Sequence, residues 1–297
     1  SATASLTVSN VQSSEIGEYR LVVTNAYGSV TSSNALLTLW PLVVWGRNDY
    51  AAANVPGGLS NVLAVAGGLY HCLALRADGT VAAWGAGTTN TGVNPQRGQA
   101  IVPDGLSNVV ALAAGAYHSL ALESNGTLAA WGAGTTNTGI SPHFGQAMVP
   151  DGLSDVAMTS GGGFHTLALK RDGSLTAWGA GTTNSGLTPH YGQASVPGGL
   201  SNMVAIAAGS YHSLALKCDG TVVGWGAGLT NVGVNPQYGQ ANIPNGLSNV
   251  VMLAAGGNHS LALRADGTVA GWGDNTYGQI NPPADLSNVV AIAAGRY

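Results

Sequence analysis

The sequence predicts an all-β protein arranged as a β-propeller, because it contains tandem repeats, a tight turn in nearly every repeat and no segment with helical periodicity. The pair Trp-Gly recurs first after 39 residues and then four times after 47, at Trp45, Trp84, Trp131, Trp178, Trp225 and Trp272. Histidines keep the 47-residue step at His71, His118, His165, His212 and His259. Repeats of about 40 to 50 residues made of short strands are typical of propeller blades around a channel.

Each repeat contains three short segments with strand character. In one repeat they are Val109–Ala114, His118–Glu123 and residues 127–131, and a weaker fourth strand is expected at residues 99–102. An Asn-Gly or Asp-Gly pair joins the second segment to the third and supplies the positive φ angles of a tight hairpin. We therefore expect mostly four-stranded antiparallel blades, with the Ala/Gly-rich first strand nearest the channel, where only small side chains fit.

Composition limits the choice of partners. Only 7% of the residues are charged, nine Lys and Arg are scattered singly, and the net charge is −4. Such a chain offers no basic stripe for a phosphate backbone, which argues against nucleic acid. It also has no apolar run of about 18 residues that could span a membrane. No signal-peptide pattern is present, and both ends are expected to be cut from a longer polypeptide.

The repeat resembles a known family. The strings AAGAYHSLALESNGTLAAWG at residues 113–132 and WGDNTYGQ at residues 272–279 resemble the regulator-of-chromosome-condensation repeat, and in its bacterial form they resemble the secreted propellers that inhibit β-lactamases. The resemblance covers about residues 42–297. It implies a propeller that usually has seven blades, and the six Trp-Gly units leave open whether this chain forms six or seven, or an incomplete ring.

Residues 1–40 do not share the repeat. They resemble the last three strands of an immunoglobulin-like domain, with Gly17 and Tyr19 in its tyrosine corner and Leu21 in the place of its second cysteine. The expected organisation is therefore the C-terminal part of an immunoglobulin-like domain at residues 1–40 and a propeller at residues 42–297.

The repeated histidines could suggest a metal site, but one imidazole per blade leaves them too far apart to share an ion at bonds of about 2 Å. We expect structural rings bonded to neighbouring backbone. His143 and His190 lie where sister repeats carry Gln96 and Gln237, which argues against catalysis. The aspartates before glycine are turn residues. The sequence predicts no catalytic residue, no metal ligand and no cofactor.

One face of the propeller is the candidate binding surface. An aromatic residue precedes the histidine in most repeats, with Asn258 as the exception, and four repeats carry eight extra residues after Trp-Gly. In an antiparallel blade, the connection between the first and second strands and the connection after the third strand emerge on the same face. The predicted surface comprises Tyr70, Tyr117, Phe164, Tyr211, Tyr297, Thr135, Thr136, Asn137, Thr182, Thr183, Asn184, Thr230, Asn231, Asn275 and Tyr277. The alternative interpretation is that the rings only pack between blades.

These features predict a non-catalytic interaction module of a secreted or cell-surface multidomain protein that recognises a protein or glycan. The resemblance implies that the matching aromatic and the residues after Trp-Gly form the partner-binding face of inhibitor-like propellers. In those propellers an acidic or Asn pair follows Trp-Gly, whereas Ala-Gly stands there in four blades of this chain. At these positions the sequence therefore departs from the inhibitor pattern. An enzyme inhibitor is the alternative function, a guanine-nucleotide exchange factor is a further one, and the oligomeric state is left open.

Overall fold

A computed structural model describes residues 42–46, 48 and 50–297, together with the backbone of four short N-terminal strands. These strands are β1 (Gly17–Tyr19), β2 (Val22–Asn25), β3 (Gly28–Thr31) and β4 (Ala35–Leu37). β1 pairs with β4 and β2 pairs with β3, both antiparallel. The immunoglobulin-like assignment of residues 1–40 stays a prediction, because Leu21 and the side chain of Tyr19 lie outside the described residues.

Five three-stranded antiparallel sheets follow, one in each repeat. The first strands are β5 (Val62–Gly67), β8 (Val109–Ala114), β13 (Val156–Gly161), β18 (Met203–Ala208) and β23 (Val250–Ala255). The second strands are β6 (His71–Arg76), β9 (His118–Glu123), β14 (His165–Lys170), β19 (His212–Lys217) and β24 (His259–Arg264). The third strands are β7 (Val81–Gly85), β10 (Leu128–Gly132), β15 (Leu175–Gly179), β20 (Val222–Gly226) and β25 (Val269–Gly273). The described residues contain no helix.

The predicted fourth strand is wrong. Residues 99–102 form a turn and irregular backbone, so the blades have three strands. The inserted residues instead form separate two-stranded hairpins: β11 (Asn137–Ile140) with β12 (His143–Phe144), β16 (Asn184–Leu187) with β17 (His190–Tyr191), and β21 (Asn231–Val234) with β22 (Gln237–Tyr238). In the first repeat, a single bridge between Asn90 and Arg97 takes the same place. The last repeat lacks the eight extra residues and also has three strands, so the insertion is not what removes the fourth strand.

Apolar side chains fill the space between consecutive blades. Leu167 and Leu169 of one blade pack against Met203, Ile206 and Trp225 of the next. The three other interfaces between complete blades are built in the same way, each with its own buried tryptophan. Burying a large ring against two leucines at each interface supplies most of the hydrophobic stabilisation.

The sixth repeat begins at the C-terminal end of the chain. Val289 N–H donates to Gly267 O (3.3 Å) and Gly257 N–H donates to Gly295 O (3.3 Å), so residues 289–295 lie beside the fifth blade. The ends of the Ala/Gly-rich first strands converge on a cavity of about 390 Å³, which agrees with their predicted place nearest the channel. The described residues thus form five three-stranded blades and the start of a sixth unit.

Candidate functional site

The turn before the second strand and the loop after the third strand lie at the same end of each blade. His71, the first residue of β6, pairs with Gly85, the last residue of β7, and the other four blades repeat this register. The residues that precede each histidine therefore share one face of the molecule with the inserted hairpins. The Asp-Gly and Asn-Gly turns lie at the opposite ends of the strands.

The repeated histidines bind the next blade. His165 Nε2 lies 2.9 Å from Ser213 Oγ, and Ser213 Oγ donates to Gln193 O at 2.8 Å. Since the hydroxyl gives its only hydrogen to that carbonyl, it accepts from the Nε2–H of the imidazole. Gln193 O also accepts from Trp225 Nε1 at 2.8 Å. His71, His118 and His212 form the same links to Ser119, Thr166 and Ser260.

This network corrects one expectation, because the imidazole partner is a hydroxyl of the next blade and not backbone. Burial lowers the pKa of His71 to about 4 and the pKa of His118, His165 and His212 to about 3. These rings are therefore neutral near pH 7. Within the part of the chain that the structure describes, no three His, Cys, Asp or Glu side chains are grouped to hold a metal ion. The network connects blades and offers no reactive group to solvent.

The loop histidines have a local structural role. His190 Nδ1 accepts from Gly181 N–H at 3.2 Å, and Gln237 Oε1 accepts from Gly228 N–H at 2.7 Å in the sister repeat. His143 and Gln96 accept from the equivalent glycines. The structure thus explains why Gln and His exchange at this position: both supply one acceptor to the same backbone N–H.

The predicted aromatic residues form a continuous row, named here the aromatic arc: Tyr70, Tyr117, Phe164 and Tyr211. The ring centroids of Tyr70 and Tyr117 are 5.9 Å apart, those of Tyr117 and Phe164 are 6.0 Å apart, and those of Phe164 and Tyr211 are 5.9 Å apart. The last two pairs are stacked with interplanar angles of 30° and 29°. Each ring is half-buried, so the arc packs between blades and also keeps an accessible edge. Tyr297 lies apart from the arc, against Tyr277 with centroids 5.6 Å apart.

The inserted hairpins support the arc from outside. Phe144 meets Phe164 edge to face at 5.6 Å, and Tyr191 meets Tyr211 at 5.7 Å. Tyr50 similarly contacts Tyr70 at 5.3 Å. The rings of Phe164 and Tyr211 are each in contact with a ring from a hairpin, and these contacts restrict their orientation in the unbound protein. Rigid rings of this kind provide contact area at a low entropic cost.

The predicted polar loop residues divide into two groups. Asn137, Asn184 and Asn231 accept from the N–H two residues later at 3.0 to 3.1 Å, so their carboxamides shape the hairpins. The threonines and the residues near the last Trp-Gly are exposed: Thr135, Thr136, Thr182, Thr183, Thr230, Asn275 and Tyr277. The carboxamide of Asn275 is bonded within the chain, because it donates to Asn281 Oδ1 at 3.1 Å and accepts from Ile280 N–H at 3.3 Å. Whether these exposed residues contact a partner stays a prediction.

Sequence reasoning missed two features of this face. Four exposed aliphatic side chains recur at 47-residue steps on the hairpins, namely Val93, Ile140, Leu187 and Val234, with 61 to 72% of their surface accessible. Their even spacing in Thr/Asn-rich loops was visible in the sequence. The second feature is Arg296, which lines the central cavity together with Tyr117, Phe164 and Tyr211. A single arginine outside the repeat pattern gives no periodic signal.

The repeated three-stranded sheets of the described residues resemble the blades of a β-propeller. Three segments, residues 109–137, 203–232 and 250–279, match the family model for the regulator of chromosome condensation (RCC1) repeat. The comparison with curated proteins found no match to this chain. The repeat match agrees with the resemblance drawn from the Trp-Gly and Gly-x-Tyr-His motifs.

Solved structures show the same fold at low sequence identity. Prp20p from Saccharomyces cerevisiae, described together with its binding to Gsp1p and histones, is 22% identical with a TM-score of 0.58, covering 84% of this chain and 75% of that one. Yeast RCC1 (Prp20) with bound Kap60 is 24% identical with a TM-score of 0.57, covering 82% and 69%. The CRINKLY ectodomain of the Arabidopsis thaliana receptor kinase ACR4 is 19% identical with a TM-score of 0.57, covering 85% and 80%.

Among the described residues there is no helix of the length and hydrophobicity needed to cross a membrane. Cys72 and Cys218, the two cysteines of the sequence, are free thiols, and burial raises the pKa of Cys72.

Proposed function

We propose that this chain is a non-catalytic protein-interaction module whose working surface is the aromatic arc with the surrounding inserted hairpins. The observation that carries the proposal is the arc itself: four neighbouring blades place half-buried rings in one row, and Tyr117, Phe164 and Tyr211 of that row line an open cavity. Tyrosine-rich surfaces often hold the few residues that dominate binding energy. Proteins with this fold include ones described as binding other proteins, as Prp20p is with Gsp1p.

The hairpins extend this surface and favour a protein over a glycan. Each carries an exposed aliphatic side chain, and burial of apolar surface is the dominant favourable term in most protein–protein association. Exposed threonine hydroxyls beside them provide adaptable hydrogen bonds. The opposite ends of the blades differ, since Asp172 and Asp219 are occupied there by bonds to the N–H and hydroxyl groups of Ser174 and Thr221.

The proposal can be tested by site-specific photo-crosslinking. A benzophenone amino acid placed at position 211 should form a discrete protein adduct in an extract or medium of the source cells, and one placed at position 219 should not. With the captured partner purified, Tyr211→Ala should weaken binding about 10- to 100-fold, which corresponds to about 1 to 3 kcal/mol.

The matched control is Asp219→Ala, which should leave the dissociation constant unchanged. Adducts of equal yield from both faces, or a Tyr211→Ala variant that binds as tightly as the parent, would contradict the proposal. A carbohydrate adduct at position 211 would mean that the partner is a glycan and not a protein.

A location outside the cell or at its surface is part of the proposal, supported by the low charge and by the immunoglobulin-like resemblance of residues 1–40. Surface biotinylation of intact source cells checks it, and absence of labelling together with absence from the medium would refute it.

An inhibitory role is the second candidate. It predicts that the captured partner is an enzyme whose activity falls on titration with this chain, whereas an exchange factor would accelerate nucleotide release from a GTPase.

A further inference from the structure

The residue before each aromatic position lies at the mouth of the central cavity. In repeat order these residues are Leu69, Ala116, Gly163, Ser210, Gly257 and Arg296, and all of them line the cavity. Arg296 is the one charged residue among the lining residues, and no Asp or Glu stands with it there. The floor is formed by Gly and Ala of the first strands, which leave the cavity open to an incoming side chain.

The repeat geometry fixes the backbone of Arg296. Gly257 N–H donates to Gly295 O at 3.3 Å, as Gly163 N–H donates to Gly209 O at 3.1 Å two blades earlier. A Cβ atom added to Gly257 would collide with Arg296 O, and one added to Gly163 would collide with Ser210 O. Arg296 therefore occupies the place of Ser210 in the earlier repeat, and both residues line the cavity.

The charge of Arg296 reaches several aromatic rings. Its guanidinium carbon lies 5.2 Å from the centroid of Tyr297. Burial raises the pKa of Tyr117 and of Tyr211, and the positive charge of Arg296 acts on both in the opposite direction. Tyr117 and Tyr211 belong to different blades, and Arg296 lines the same cavity as both. A cation beside an aromatic ring, in a cavity whose lining residues include no Asp or Glu, offers a site for an anion.

We propose that the partner inserts a carboxylate into this mouth, where it pairs with Arg296 while its neighbouring apolar or aromatic group packs on Tyr117, Phe164 and Tyr211. This rests on the proposed function and names the chemistry of its anchor. A guanidinium and a carboxylate can form two parallel hydrogen bonds, which fix orientation as well as affinity. A volume of about 390 Å³ is within the range of pockets that bind small ligands, so it can admit a short segment of the partner. The carboxylate comes from an acidic side chain or from a chain terminus.

Three short peptides serve as probes in an NMR titration that follows the Arg296 side-chain N–H and the tyrosine ring signals. Acetyl-Ala-Phe with a free terminus carries a terminal carboxylate, acetyl-Asp-Phe-amide carries a side-chain carboxylate, and acetyl-Ala-Phe-amide carries none. At least one carboxylate peptide should bind at least 10-fold more tightly than the neutral amide. The tighter of the two identifies the source. Raising the salt from 50 to 500 mM should weaken that binding several-fold.

Arg296→Gln should abolish the preference for the carboxylate, and Arg296→Lys should retain part of it because the charge stays and the fork geometry is lost. Arg264→Gln, at the far end of the fifth blade, should change nothing. The inference is overturned if the amide binds as well as the carboxylates, if no peptide perturbs the Arg296 signal, or if Arg296→Gln keeps the preference. Should Tyr211→Ala still weaken the crosslinked partner in those cases, the proposed function stands and only the anchor fails.

Discussion

Two rows of residues run side by side through this molecule with the same 47-residue step. The histidines from His71 to His212 are completely buried and bind a hydroxyl of the next blade. The aromatic arc lies one residue before these four histidines and remains half-exposed, and Tyr117, Phe164 and Tyr211 line an open cavity. Equal periodicity thus accompanies two different roles, and solvent accessibility distinguishes the row that holds the blades together from the row that can meet a partner.

Acid should break the histidine row with the largest effect. The unfolded chain binds protons at histidine near pH 6.5, whereas the folded chain does so only at about pH 3 to 4. The contribution of these histidines to the free energy of unfolding is therefore fully present above pH 6.5 and is lost as the pH decreases. Its slope approaches about 5 kcal/mol per pH unit when all four sites are protonated in the unfolded state and neutral in the folded state. Urea unfolding midpoints between pH 8 and 4 check this. A flat profile between pH 7 and 5 would contradict it, and the arc should contribute nothing to the slope.

His165→Ala should give the next largest effect. It removes a fully buried ring and leaves the Ser213 hydroxyl with one partner fewer, at a cost of about 2 to 4 kcal/mol. The free energy of unfolding from urea titration measures this, and its pH dependence should shrink by about a quarter. A loss below 0.5 kcal/mol would mean that the link between blades has little energetic weight.

Phe164→Ala changes the neighbouring residue and sharpens the comparison. Because the ring is half-buried, we expect a stability loss of about 1 to 2 kcal/mol, smaller than that of His165→Ala. Binding of the crosslinked partner should fall at least 10-fold in the same variant. If Phe164→Ala destabilises the fold as much as His165→Ala and leaves binding intact, the arc is only a packing element.

Trp225→Phe tests one donor of the network. It removes the Nε1–H that donates to Gln193 O, while Ser213 still donates to the same carbonyl. The expected loss of about 1 kcal/mol is read from the urea midpoint. Trp178→Phe, the equivalent change one blade earlier, should give the same value within error because the contacts repeat.

His190→Gln should have the smallest effect, below about 0.5 kcal/mol, because glutamine already holds this place in two sister repeats. Thermal unfolding of the parent and the variant checks it. A large loss would mean that the contact of His190 with Phe144, at 5.4 Å, stabilises the hairpins more than the bond to Gly181 does.

Much of the candidate site could be predicted because of its periodicity. The aromatic positions and the inserted loops were found from their spacing, and the structure places them on one face. Three points could not be obtained in this way. The hydroxyl partner of His165 is 48 residues away, residues 99–102 form a turn and irregular backbone where a fourth strand was expected, and Arg296 has no counterpart in the other repeats.

The sequence by itself determined the repeat length, the strand order within a blade, the hairpin turns and the rim where aromatic residues gather. These follow from local rules, since alternation of apolar residues and a Gly with positive φ act over a few neighbouring positions. Only the tertiary structure decided which polar groups meet between blades, which rings remain accessible and that a single cation lies at the cavity mouth. Those facts depend on how successive blades pack against one another, and packing joins residues that no local pattern connects.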